Sequence, residues 1–145
     1  MHANIITDYA RIAEIARSAK RVAVLGMKTE KQAEQPAFRV PAYLAKAGID
    51  IVPVLVYYPD VTETLGRKVY RSVAEVPGDI DIVDVFRRSE DIEAHVEDIL
   101  AKMPRVVWFQ SGIRNDAVAL RLAQKGILVV QDHCLMVEHR QATLA

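Results

Sequence analysis

RVAVLGMK, residues 21–28, carries an unbroken apolar run, Val22 to Leu25, that ends in a glycine and a lysine. A short valine-rich run of this kind reads as a strand covered on both faces. Four more runs share its character: IVPVLV (51–56), IVDVF (82–86), VVWF (106–109) and ILVV (127–130). All are rich in β-branched or aromatic residues and bounded by turn residues or charges, and most are continuous rather than alternating. Trp108, on the fourth run, belongs to the core.

Segments of helical period lie between the strands. Residues 8–19 set Tyr9, Ile12, Ala13, Ile15 and Ala16 along one stripe, and residues 37–47 form a helix that stops at Gly48. Pro41 falls at the fifth position of that helix, so a late start or a bend is expected there. Residues 90–102 place Ile92, Val96, Ile99 and Leu100 on one face, and residues 116–125 end at Gly126. With one further short helix before the third strand, strand and helix alternate throughout. Such alternation implies parallel strands joined by right-handed crossovers. The predicted fold is an α/β, Rossmann-like, doubly wound parallel sheet of about five strands with helices on both faces. Its ligand crevice belongs at the carboxyl ends of the strands.

The 145 residues have room for one domain, 1–145, and show no linker or repeat. Nineteen basic and nineteen acidic side chains cancel, which argues against a nucleic-acid or anionic-membrane partner. The only cysteine, Cys134, allows no internal disulfide and is expected to be buried and inert. No apolar run approaches a membrane span, and the first twenty residues read as an amphipathic helix rather than a signal peptide. A cytoplasmic protein is the expectation.

The strand-end rule selects few positions. Gly26 follows the first strand and lets backbone approach a ligand; Lys28 and Lys31 add charge, and a helix opens near Pro36. No second glycine follows before Gly48, so the G-x-G-x-x-G turn of dinucleotide enzymes is absent. Arg87 and Arg88 follow the third strand and suit phosphate oxygens, or else pair at the surface with Glu90 or Asp91. Gln110, Ser111 and Gly112 follow the fourth. Asp84 is expected to face inward toward an arginine. The tail QDHCLMVEH (131–139) lacks the ligand set of a zinc site. His95 is placed away from the crevice, and His133 near it with no carboxylate to orient it but its neighbour Asp132. No residue is assigned a catalytic role.

RVAVLGM (21–27), PAFRVPAYLAKAGIDIVPV (36–54), LGRKVYRSVAEVP (65–77), DIVDVFRR (81–88), RVVWFQSGIRN (105–115) and VVQDHCLMVEH (129–139) occur in order. In these stretches the chain resembles the small stand-alone CoA-binding domain proteins, relatives of the N-terminal domain of the succinyl-CoA synthetase α subunit. The resemblance implies a Rossmann-like fold that binds coenzyme A or an acyl-CoA. It implies phosphate contacts from Gly26, Met27, Lys28 and Thr29, and adenosine contacts from Val54, Leu55 and Tyr57. Val85, Phe86 and Arg87 would line the pantetheine path, with Gln110 and Gly112 at the further edge. Two positions depart from the pattern: Leu55-Val56 stands where the family has Asn-Pro, and His133 where it commonly has arginine before the cysteine. The synthetase reaction needs a phosphorylated histidine and an ATP-grasp partner on other domains, so ligase activity is not implied. The expected role is non-catalytic, as sensor or carrier. Two other readings stand beside it: an NAD(P)-binding oxidoreductase or redox sensor, and a nucleotide-free interaction domain.

Overall fold

The computed structural model describes residues 2–144. Its central sheet holds β1 (Arg21–Leu25), β2 (Asp50–Val54), β5 (Ile82–Val85), β6 (Val106–Phe109) and β7 (Leu128–Val130), in the order β2-β1-β5-β6-β7. Every pairing is parallel, as the apolar runs predicted. Alternate residues feed two apolar layers. Ala23, Leu25, Val83, Val85, Val107 and Phe109 pack with α3 (Val96–Lys102) and α4 (Asp116–Gln124). Val22, Val24, Ile82 and Trp108 pack with α1 (Tyr9–Arg17), α2 (Pro36–Lys46) and α5 (Leu135–Thr143). Helices on both faces make the fold doubly wound.

Three elements differ from the sequence expectation. No α-helix lies between β2 and β5; the chain instead makes a hairpin, β3 (Glu63–Thr64) with β4 (Arg67–Lys68), then a single 3-10 turn at Val73–Glu75. The hairpin turn puts Leu65 and Gly66 at φ of 54° and 68°, a geometry that Asn-Gly would have announced and Leu-Gly does not. The expected helix over 90–102 is divided into a 3-10 segment, Ser89–His95, and α3, although Ile92, Val96 and Ile99 do face the core. Helix α5 was not foreseen, because its two buried positions are Leu135 and His139 and the second is polar. Burial pulls the His139 imidazole below the usual histidine range, and its ring lies edge-on to Tyr43.

Helix α2 starts with Pro36 in its first turn and keeps Pro41 in its interior. A proline there leaves the carbonyl four residues back without its helical donor. That carbonyl belongs to Ala37, and it accepts from the backbone N–H of Lys28 at 3.1 Å. The proline thus frees an acceptor that fastens the β1–α2 loop to the helix.

Asp84 does face inward, but it pairs with no arginine. It is fully buried between Val24 and Trp108 of the neighbouring strands, and neither carboxyl oxygen has a hydrogen-bond partner. Arg87 turns to other groups beyond the strand end. Burial raises the Asp84 pKa well above the carboxylate range, so the side chain is held as the neutral acid. The native state therefore keeps a proton that the unfolded chain releases once pH passes the ordinary aspartate value. This stability contribution is full in acid and is lost as pH rises toward the native pKa, by up to about 1.4 kcal/mol per pH unit. Asp84→Asn is expected to remove that slope in urea unfolding followed from pH 4 to 8. A slope equal to that of the unmodified chain would mean that Asp84 is ionised in the fold.

Candidate functional site

Strand order reverses between β1 and β5, so the crevice of the sheet opens over their carboxyl ends. Gly26 lies between those ends at φ +85°, with its N–H donating to the Val54 carbonyl at 2.9 Å. A Cβ at this position would stand 2.5 Å from the Phe86 carbonyl oxygen and 3.1 Å from Arg87 Cδ. No side chain fits between the two strand ends.

Next to it, reached through Phe86 and Arg87, lies a cleft of about 420 Å³, walled by the start of α2 on one side and by Phe86, Gln110, Ser111 and Cys134 on the other. Lys28, Arg39, Arg87 and Arg88 line it, and no carboxylate does. In a chain of zero net charge this is a local cationic field. The α2 N-terminus adds the positive end of its dipole, and its Gln35 side chain does not cap it. Gln35 instead accepts from the Lys28 ammonium.

Arg87 is held from several sides. Its Nε donates to His95 Nε2 at 3.2 Å and its Nη1 to the Tyr57 hydroxyl at 3.3 Å; its guanidinium lies 5.4 Å from the Tyr57 ring centre, with Asp91 at 3.9 Å. His95 does not line the cleft, as the strand-end rule expects, but it braces Arg87, which does. Accepting from arginine requires its Nε2 to be unprotonated. Burial first, and the Arg87 charge second, hold its pKa below the usual histidine value. The histidine is thus neutral at physiological pH, and acidification removes the acceptor and sets two cations side by side. Tyr57 itself stands 59% exposed on the loop 57–61, whose carbonyls accept four hydrogen bonds from the Arg71 guanidinium. Arg88 is exposed and pairs with Glu90 and Asp91.

Of the twelve positions proposed from the sequence, Lys28, Phe86, Arg87 and Gln110 line the cleft together. Gln110 is buried and its Oε1 accepts from the Leu135 N–H, joining β6 to α5. Met27, Val54, Leu55 and Val85 are buried in the apolar layers. Thr29 is buried too; its hydroxyl and Gln32 close a capping box over the 3-10 turn Glu30–Gln32. Gly112 is exposed at φ +82° and donates to Asp132 Oδ1 at 2.6 Å. Sequence reasoning missed Arg39, one turn into α2, and Cys134, which is half-buried against the cleft rather than sealed in the core. It also misjudged His133: Glu138, on the first turn of α5, faces the imidazole Nδ1 at 3.3 Å. Only the chain's turn into α5 brings positions five apart together.

A second cavity, of about 540 Å³, lies at the carboxyl end of β7. Its charges are mixed, with Arg114 paired to Asp116 at 3.1 Å.

An open parallel sheet with a glycine between its central strand ends and a cationic cleft beside them defines the class: a Rossmann-like α/β domain. The chain belongs to the CoA binding domain family, whose sequence profile matches residues 20–140. The Bacillus subtilis (strain 168) protein YneT is 37% identical over 130 residues, covering 90% of this chain and 93% of that protein. A solved Thermus thermophilus structure superposes with a TM-score of 0.84 at 35% identity, over 94% of this chain and 99% of that one. A hypothetical protein from Pyrococcus horikoshii OT3 gives 0.82 at 30%, over 98% and 96%. The dinucleotide-forming acetyl-coenzyme A synthetase 1 of Ca. Korarchaeum cryptofilum shares the fold at 18% identity and TM-score 0.65, over 80% of this chain and 26% of that one.

Gly26→Ala should cost about 1–3 kcal/mol in chemical denaturation, since left-handed backbone strain is joined by a clash with a backbone oxygen. Gly48 has φ +98° but nothing within 4 Å of a built Cβ. Gly48→Ala is therefore the control, with a cost of about 1 kcal/mol from backbone alone. Equal costs at the two positions would show that the Phe86 contact imposes no constraint.

Proposed function

We propose that the protein binds coenzyme A or an acyl-CoA without turning it over, and acts as a carrier or sensor of that cofactor. The observation that carries this reading is the cleft lined by four cations and no carboxylate, two of whose lining residues, Phe86 and Arg87, crowd against Gly26. Phosphates need charge, donors and close backbone approach. Gly26 and the backbone of Met27 and Thr29 supply the approach; Lys28, Arg39 and Arg87 supply the charge. Tyr57, exposed and braced on Arg87, suits the face of an adenine base, and Phe86 suits the apolar part of the pantetheine arm. Gln110 and Gly112 border the far end.

The non-catalytic part of this reading follows from the resemblance, since the synthetase reaction needs a phosphorylated histidine and an ATP-grasp partner that lie on other domains. The nicotinamide reading is disfavoured by the lack of a second glycine before Gly48.

CoA at a hundredfold excess over its Kd is expected to raise the melting temperature by about 5–10 °C, with NAD+, NADH and NADPH inert at the same concentration. A shift with a nicotinamide cofactor and none with CoA would reverse the assignment. Arg87→Ala should weaken CoA binding by about 1–3 kcal/mol in titration calorimetry. A folded variant of unchanged affinity would leave Arg87 a purely structural role in the Tyr57–His95 cluster.

A further inference from the structure

We infer that the cavity at the end of β7 receives the acyl group of an acyl-CoA whose phosphates sit over β1 and β5. The inference rests on the CoA reading and names the class of thioester.

The two cavities share a wall one peptide thick. Cys134 lines the cationic cleft and His133, the residue before it, lines the cavity at β7. Ile113 and Arg114 divide in the same way. Between them the Ser111–Gly112 turn is exposed, with nothing within 4 Å of where a Gly112 Cβ would be. That turn is an open saddle. From β5 to β7 is two strand spacings, roughly 10 Å. A pantetheine arm is a chain of about four residue-lengths, roughly 14 Å when extended, so a thiol tethered at the switch point can cross the saddle.

The cavity is lined by polar and apolar groups alike, and most of its polar side chains already have partners. Arg114 pairs with Asp116 and Gln131 bonds to Asn115 and Asp116, while Asp132 accepts from Gly112 and His133 faces Glu138. His2 Nδ1 accepts from the Asn4 N–H at 3.0 Å. Ile5, Ile6, Thr7, Tyr9 and Leu120 complete the lining, Tyr9 being 75% and Leu120 42% exposed. The wall is preformed: Ile6 donates to the Val129 carbonyl and Val129 to that of Asn4, both at 2.8 Å, fixing the N-terminal segment along β7. A preformed, largely self-satisfied polar rim around apolar side chains takes an uncharged alkyl group better than a charged one. The carboxylates of Asp116 and Asp132 on the same lining disfavour the phosphate end.

The test is calorimetric titration of CoA, acetyl-CoA and octanoyl-CoA. Octanoyl-CoA is expected to bind at least tenfold more tightly than CoA. Leu120→Trp on the outer face of α4 and Thr7→Phe on the opposite wall should each abolish that preference while leaving CoA affinity within twofold. Two plugs on separate elements guard against one failing to fold. Equal affinity for CoA and octanoyl-CoA in the unmodified chain would overturn the inference and leave the CoA reading intact. A preference that survives both plugs would place the acyl group elsewhere, and binding of none of the three would overturn both readings.

Discussion

Where β1 and β5 end side by side, the Phe86 carbonyl oxygen occupies space that any side chain at position 26 would need. This close approach is a consequence of strand order. The chain leaves β1 for β2 on one side and returns to place β5 on the other, so two parallel strands end together with no connection crossing above them. The gap is where backbone can approach a ligand. Gly26 keeps it open, and it does so only by adopting a left-handed backbone that other residues disfavour.

The walls of the gap are positioned by polar groups that have been displaced from their ordinary partners. Pro41 denies the Ala37 carbonyl its helical donor, and the Lys28 N–H takes that place. Glu30 reaches across to the hairpin, accepting from the Thr64 hydroxyl and the Leu65 N–H at 2.7 and 2.9 Å. Arg71 gathers the carbonyls of the Tyr57 loop. Each contact ties down a loop that follows β1 or β2. The cationic cleft is a tertiary assembly whose charges come from two loops and one helix turn.

The central strand has one costly feature. Asp84 is kept neutral in an apolar layer with no partner for either oxygen, directly beneath the level of Phe86 on the same face of β5. A polar group so buried lowers stability unless it is satisfied. The surrounding layers of valine, isoleucine and tryptophan are extensive enough to carry it.

The sheet was legible because its strands are buried on both faces, and continuous β-branched runs follow directly from that burial. Gly26, Lys28, Arg87 and Gln110 were legible as strand-end residues for the same reason: once the strands are read, the carboxyl ends are known. The hairpin, the divided helix and α5 were not legible. Leu65-Gly66 disguises a left-handed turn, and His139 interrupts the apolar period of α5. Arg39 and Cys134 reach the cleft, His95 reaches Arg87, and Glu138 reaches His133 through packing of helices against the sheet edge, which no local pattern encodes. Local propensity and burial period determined the strands and their ends. Which distant side chains meet above those ends, and whether Arg87 faces an acid, a ring or an imidazole, was decided only when strand order brought separate crossovers to one edge.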